Sequence, residues 1–200
     1  MLSYELLKKI RITLRRTRHP RGLQAGDGSF IQAPFFIPSG KGIVLGARTT
    51  VGTHALMSLV RRYGPDIFDP KIFIGDGVYI GSYLYMAAVG EISIGDGCVL
   101  SDHVNLNDAT HGLDPTAGPI MEQRLTTKGP IRVGRNCFLG YRSAILSGVS
   151  LGEGCVVGIN SVVTKSFPAY SMVAGAPARV IRTFDQVSKS WVVQPPRSSD

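Results

Sequence analysis

His111 is the side chain in this sequence whose type and setting best suit proton transfer. It lies in a polar segment, residues 107–130, that separates two regular blocks of the chain. A neutral imidazole near its usual pKa of about 6.5 can take a proton from a hydroxyl group. Asp108 and Asp114 lie nearby in sequence, and either carboxylate could hold the second ring nitrogen, bind a substrate hydroxyl or cap a turn. Taken alone, His111 is better explained as a residue of a solvated loop than as a catalytic base.

The cysteines offer a second set of reactive side chains, but their positions follow the repeat of the chain. Each lies four residues after an aliphatic residue of the repeat, and the pairs are Ile94 and Cys98, Val133 and Cys137, and Leu151 and Cys155. A small, fairly apolar residue at one phase of a repeat is typical of core packing. We therefore predict that all three cysteines are buried, without a metal, a nucleophilic role or a disulfide.

The elements that must position these side chains are six-residue repeats. An apolar residue returns at every sixth position in two blocks. The first contains Ile74, Ile80 and Met86 and then, after a step of eight, Ile94, Leu100 and Leu106; the second contains Val133, Leu139, Ile145, Leu151, Val157 and Val163. Leu45 and Val51 extend the pattern upstream. A period of six matches neither an α-helix nor one long strand. It predicts short strands joined by tight turns, with one inward side chain in each repeat stacked on its counterpart in the next coil.

The turn residues favour the same interpretation. Gly-Asp-Gly follows Ile74 and Ile94, and Gly-Glu-Gly follows Leu151. Glycine tolerates positive φ angles and aspartate can hydrogen-bond its own backbone, so both residue types suit corners. Hairpins of a β-sandwich would not keep a strict six-residue phase over thirty residues. The sequence therefore predicts an all-β parallel solenoid.

Three segments are predicted along the chain. Residues 1–42 form a basic N-terminal segment with a short helix over 4–17 and an irregular lead-in, residues 43–183 form the solenoid, and residues 184–200 form a tail. The solenoid is interrupted by residues 107–130, and an insertion of this length in a regular stack is more often functional than accidental. Residues 53–73 break the pattern as well, and the sequence assigns them no structure.

Composition excludes several classes of protein. The net charge is +8, but residues 1–22 carry seven Lys or Arg side chains against Glu5, so the remainder is nearly neutral. A nucleic-acid-binding face on the folded body is therefore not expected. No apolar stretch approaches the ~20 residues of a membrane span, and no secretory signal is apparent, so we expect a cytoplasmic protein. The basic N-terminal segment is either a solvated arm or a peripheral contact with an anionic membrane.

Together with the repeats and the inserted loop, the closing motif resembles one family. The motif comprises Asn160 to Lys165 (NSVVTK) and Val173 to Arg182 (VAGAPARVIR). The resemblance covers about residues 70–183 and is to the hexapeptide-repeat acetyltransferases, especially the sugar O-acetyltransferases of the maltose, galactoside and surface-polysaccharide type. It implies a left-handed parallel β-helix, a homotrimer, and acetyl-CoA as co-substrate in a groove between neighbouring coils.

The resemblance also implies the roles of single residues. His111 corresponds to the general base of the family. Tyr83 takes the place of an Asn that helps to hold the acceptor in the galactoside and maltose enzymes, which implies a different acceptor pocket, and Asp108 is a second candidate for acceptor binding. The residues implied to bind the cofactor are Tyr141, Ile159, Thr164, Lys165, Arg179 and Arg182. The basic members of that set suit the phosphates of coenzyme A.

Zinc carbonic anhydrases share this architecture but present three histidine ligands. His19, His54 and His103 occupy no such pattern here, so no metal is expected, and His103 is predicted to lie at a coil edge or a trimer contact. The expected function is direct transfer of an acetyl group from acetyl-CoA to a sugar or glycan hydroxyl in bacterial surface-polysaccharide synthesis. The alternatives are N-acetylation of an amino-sugar nucleotide and a non-catalytic scaffold.

Overall fold

Residues 19–193, the part of the chain that the computed structural model describes, coil into a left-handed parallel β-helix with three flat sides. Each full coil contributes one short strand to each side in turn. Parallel strands of successive coils pair on every side, such as Ile74 with Ile94 on the first side and Ile80 with Leu100 on the second. The fold predicted from the six-residue repeats is confirmed.

The three sides are defined by their strands. The first side contains Gln24–Ala25, Ile43–Leu45, Lys71–Ile74, Glu91–Ile94, Ile131–Val133 and Ser150–Leu151. The second side contains Phe30–Ile31, Thr50–Val51, Tyr79–Ile80, Val99–Leu100, Phe138–Leu139, Val156–Val157 and Ser171–Gly175, and it ends with the antiparallel strands Ala178–Asp185 and Ser190–Val193. The third side contains Leu56–Leu59, Tyr85–Ala88, Asn105–Asn107, Ala144–Leu146 and Val162–Val163.

The repeat aliphatics form the core, as predicted. All twelve side chains of the two blocks are at most 3% exposed, and equivalent side chains of neighbouring coils stack on one another, as Met86 does on Leu106 and Leu106 on Ile145. Burying one such side chain stabilises the fold by about 1.5–3 kcal/mol. The three cysteines are also buried and free, which confirms the core prediction.

Close contact between coils explains the glycine that follows many of these aliphatics. A Cβ atom on Gly75 would lie 2.2 Å from Asp96 Oδ1, so no larger residue is accommodated. Asp96 Oδ1 instead accepts a hydrogen bond of 2.8 Å from the N–H of Asp76 in the preceding coil. The aspartates lie at corners as predicted, but their hydrogen bonds differ from the prediction. Their carboxylates bond the backbone of the preceding coil rather than the backbone of their own turn.

Strand structure extends beyond both predicted boundaries of the solenoid, as a further coil at the N-terminal end and as antiparallel strands at the C-terminal end. Gln24–Ala25 pairs with residues of Ile43–Leu45, so the first coil lies within the stretch predicted to be an irregular lead-in. At the other end, Ser190–Val193 pairs with Ala178–Asp185, and the ring of Trp191 contacts that of Phe184 with centroids 5.4 Å apart. The predicted basic helix over residues 4–17 and the end of the tail lie outside the described residues.

Two insertions leave the helix at the same corner, which follows the third side and precedes the next first-side strand; we call it the insertion edge. One is a hairpin of Arg62–Tyr63 and Asp66–Ile67, within the stretch that the sequence left unassigned. The other is the predicted 107–130 loop, with a hairpin of Thr110–His111 and Leu125–Thr126 and a short 3₁₀ helix, Ile120–Glu122. Within residues 19–193, no helix has the length and apolar character needed to cross a membrane.

Candidate active site

The longer insertion is anchored by Asp108, the first residue after the third-side strand Asn105–Asn107. Its carboxylate is fully buried and accepts hydrogen bonds from the N–H groups of Val89, at 2.8 Å, and Gly90, at 2.9 Å. Burial raises the pKa of Asp108, although these two bonds act in the opposite direction. The predicted contact with an acceptor is corrected here, because a carboxylate with no exposed surface holds the chain together instead.

His111 lies on the short hairpin strand that leaves this anchor and is half-buried. Its Nδ1 atom is 3.1 Å from the hydroxyl oxygen of Tyr63, and the two rings meet edge to face with centroids 5.3 Å apart. The Tyr63 hydroxyl also donates a hydrogen bond to the carbonyl oxygen of Met121. Tyr63, which contacts the imidazole, and Met121, which accepts from Tyr63, therefore both lie in the insertions and not in the regular helix.

Neither acid proposed from the sequence holds the imidazole within the described chain. Asp108 is occupied as above, and Asp114 Oδ1 accepts hydrogen bonds from the backbone N–H and the hydroxyl of Thr116, at 2.8 and 2.7 Å. These bonds lower the pKa of Asp114, which lies on an exposed turn. The partner of His111 is a tyrosine from a segment 48 residues upstream in sequence.

An ion pair joins the two insertions beside this contact. The guanidinium of Arg124 donates two hydrogen bonds to the carboxylate of Asp66, one of them at 2.7 Å from Nε. The hydrogen bond from Arg124 lowers the pKa of Asp66. Paired in this way, the shorter hairpin braces the longer loop against the body of the helix.

His111 lines an open cavity of about 240 Å³ at the insertion edge. Most of its wall consists of small or aromatic side chains, and its lining residues are Val60, Tyr63, Tyr85, Ala87, Ala88, Val89, Asn107, Ala109, Thr110, His111 and Leu125. Sequence reasoning missed Tyr63, Tyr85 and Asn107. A usable signal existed for Tyr85 and Asn107, because each lies one residue from an inward repeat position and must therefore face outward.

Tyr83 lies at a different corner, between the second and third sides, which we call the ladder edge. Its ring is stacked between those of His54 and His103, with both centroid distances at 4.6 Å. Tyr141 meets His103 edge to face at 5.4 Å. His103 thus lies at a coil edge, which is one of the two positions predicted for it from the sequence. Both faces of the Tyr83 ring are covered, so only its edge and hydroxyl remain for a ligand.

The predicted cofactor residues divide between corners. Tyr141 and Ile159 lie on the ladder edge and are 39% and 66% exposed. Thr164 and Lys165 follow the last third-side strand and are exposed at the insertion edge, two coils beyond the strand that precedes His111. The remaining two, Arg179 and Arg182, are exposed on the strand Ala178–Asp185. A single chain therefore does not bring Tyr141 and Ile159 to the corner that carries His111.

No group of three or more His, Cys, Asp or Glu side chains within residues 19–193 is arranged to hold a metal ion.

Comparison with known proteins identifies the repeat. A family described as the hexapeptide repeat of succinyl-transferase matches residues 130–165. A probable acetyltransferase of Mycobacterium tuberculosis is 31% identical over 72% of this chain and 43% of its own length. The putative lipopolysaccharide biosynthesis O-acetyl transferase WbbJ of Escherichia coli is 31% identical over 60% of this chain and 64% of its own length. The chain thus spans about half the length of these relatives.

Solved structures share the whole architecture. The N-acyltransferase AntD of Bacillus cereus, in complex with dTDP and 3-hydroxybutyryl-CoA, superposes with a TM-score of 0.69. The match covers 94% of this chain and 91% of AntD at 23% sequence identity, so it establishes the fold alone. With the repeat, the named relatives and this fold taken together, the chain is a hexapeptide-repeat β-helix protein that is similar to acetyltransferases.

Proposed function

We propose that this protein transfers an acetyl group from acetyl-CoA to a hydroxyl of a sugar acceptor, in the synthesis of a bacterial surface polysaccharide. The observation that carries the proposal is the half-buried imidazole of His111 on the wall of a 240 Å³ cavity. A relative named for lipopolysaccharide biosynthesis O-acetyl transfer supports the choice of acceptor. The small side chains of Ala87, Ala88 and Ala109 in the cavity wall leave room for a sugar ring, and the side-chain amide of Asn107 can hydrogen-bond to it.

The chemistry needs one proton acceptor at the cavity. Acetyl-CoA supplies the acyl group as a thioester, which already contains a good leaving group, so no covalent acyl-enzyme is needed. His111 takes the proton of the acceptor hydroxyl as the oxygen bonds to the acyl carbon and the carbon–sulfur bond breaks. The proton then passes from the imidazolium to the departing sulfur, and the ring returns to its starting state.

The cofactor residues lead us to propose a homotrimer. Lys165, Arg179 and Arg182 are exposed cations that suit the phosphates of coenzyme A, and Thr164 is exposed beside the first of them. Tyr141 and Ile159 lie on the ladder edge, away from His111 of the same chain. We therefore propose that the ladder edge of one subunit faces the insertion edge of another, where the Tyr83 hydroxyl can also reach an acceptor.

Replacing His111 with Ala tests this function. We expect kcat to fall by about two to four orders of magnitude while the Kd of coenzyme A changes little, because only the proton acceptor is removed. The matched control is His19→Ala, which removes an exposed imidazole at the start of the described chain. Undiminished turnover in the His111 variant would show that another group is the base.

The second candidate is N-acylation of an amino-sugar nucleotide. A single-residue mutant of AntD, which shares the fold, was crystallised with dTDP-4-amino-4,6-dideoxyglucose and coenzyme A. Release of free coenzyme A, measured with hydroxyl and amino sugars in parallel, separates the two acceptors. Failure to bind acetyl-CoA at all would favour a non-catalytic scaffold over both enzymes.

A further inference from the structure

We propose that Tyr63 is a positioning residue that fixes the tautomer of His111, so that Nδ1 carries the proton and Nε2 presents the lone pair. The inference rests on the proposed function for its role in turnover. The tautomer itself follows from hydrogen bonds within the described chain and can be measured without any substrate.

The tautomer of His111 follows from the single hydrogen that the Tyr63 hydroxyl carries. A phenol has one hydrogen to donate, and Tyr63 donates it to the carbonyl oxygen of Met121, which can only accept. The same hydroxyl oxygen is 3.1 Å from His111 Nδ1, so it acts there as the acceptor. Nδ1 must then be the donor, and a neutral ring has only one N–H.

Several contacts hold this arrangement in place. Tyr63 lies on the shorter hairpin, Met121 in the longer loop, and the Arg124–Asp66 ion pair joins the two. The acids that could compete for Nδ1 are engaged elsewhere, since Asp108 bonds the backbone of residues 89–90 and Asp114 bonds Thr116. The two insertions therefore act as one unit that orients the imidazole.

The arrangement favours the reacting state as well as the resting one. When Nε2 takes the acceptor proton, the ring becomes an imidazolium and its Nδ1–H donates a charge-assisted bond to Tyr63, which is stronger than the neutral one. The bond from Tyr63 to Met121 keeps the hydroxyl lone pairs directed at the ring. After the proton moves on to sulfur, the same tautomer is restored without any rotation.

The test replaces Tyr63 with Phe, which removes the hydroxyl and keeps the ring. We expect kcat to fall about ten- to hundredfold, the range for a hydrogen bond to a charged group, with the KM values of acetyl-CoA and acceptor unchanged. In ¹⁵N NMR of histidine-labelled full-length protein at a pH where the ring is neutral, His111 of the wild type should show a protonated Nδ1 and an unprotonated Nε2. In the variant, the Nε2-protonated form should appear.

Tyr79→Phe is the matched control, because it removes a hydroxyl from the second side at a position 54% exposed and away from the insertion edge. The signals of His111 are identified by their loss in the His111→Gln variant. A wild type with protonated Nε2 overturns the proposal whether or not Tyr63→Phe folds. So does a Tyr63→Phe variant whose tautomer and kcat are unchanged, or whose only defects are a higher KM and a lower melting temperature. If His111→Ala retains full activity, the proposed base is wrong, yet the NMR experiment still decides the tautomer.

Discussion

The regular wall of the β-helix and the two insertions at its edge are built on different principles. In the wall, each inward side chain rests on an equivalent one, as Leu100 does on Ile80 and Leu139. In the insertions, individual hydrogen bonds and ion pairs hold the chain, and His111 depends on Tyr63 for its orientation. The difference teaches that the repeat provides stability and a rigid frame, whereas the proposed base and its positioning residue lie in chain that leaves the repeat.

The largest effect on stability is expected inside the wall. Leu100 is fully buried in the middle of the stack, so Leu100→Ala should lower the free energy of unfolding by about 2–5 kcal/mol through lost burial and the cavity left behind. Urea denaturation measures the change. Because the insertions are not altered, the folded fraction should keep its kcat.

Leu113→Ala is the matched change in the longer loop, where the side chain is 69% exposed, and it should alter stability by less than about 0.5 kcal/mol. Equal losses for the two leucines would contradict the division between wall and insertion.

A smaller effect is expected where the wall meets the longer loop. Asp108→Asn keeps the shape but points an amide N–H₂ at one of two buried backbone N–H donors, so we expect a loss of about 1–3 kcal/mol. The same variant also tests the direction in which the pKa of Asp108 is shifted.

Folding raises the pKa of Asp108 above 3.8, so the folded state binds the proton of this carboxyl group more tightly than the unfolded state does.

Stability of the wild type should therefore rise, relative to Asp108→Asn, as the pH is lowered through the folded pKa of Asp108 toward 3.8. Urea midpoints of both proteins, measured across that range, test the sign. A difference that shrinks on acidification would mean that the two backbone bonds outweigh burial.

The smallest global effect is expected within the insertions. Arg124→Gln breaks an ion pair whose arginine side chain is 73% exposed, so the melting temperature should barely change. Locally, the paired strands Thr110–His111 and Leu125–Thr126 should lose protection against amide hydrogen exchange, because the hairpin no longer braces the loop. Arg135→Gln, which breaks an exposed pair with Glu153 in the wall, is the control and should leave that protection intact.

The fold could be predicted because each coil repeats the same physical requirement. Both blocks of the wall have an apolar residue at each inward position, so the strands that contain Ile74 and Val133 can be predicted from the local sequence alone. The first coil was not predicted because the positions in register with the inward residues of the next coil, Ala25, Ile31 and Ile37, are spread among glycine, proline and polar residues.

The site could be predicted only in part. His111 is indicated by its place in the inserted loop and by a family resemblance, but its contact with Tyr63 depends on how two separate insertions meet in space. The residues around Tyr63 in the sequence give no indication that the two insertions contact each other. Asp108 was misassigned for a related reason, since its proximity to His111 along the chain does not reveal that its carboxylate turns inward to the preceding coil.

The spacing of the inward residues has a consequence for how such a protein diversifies. Six residues separate successive inward positions within a coil, as from Ile94 to Leu100 to Leu106. The step across the insertion edge instead ranges from four residues between Val163 and Phe167 to 27 between Leu106 and Val133. Variation in length is thus confined to one seam of the prism. A new segment can be grafted at that seam without shifting any stacked residue, so the side chains that line the cavity can change while the body of the helix stays the same.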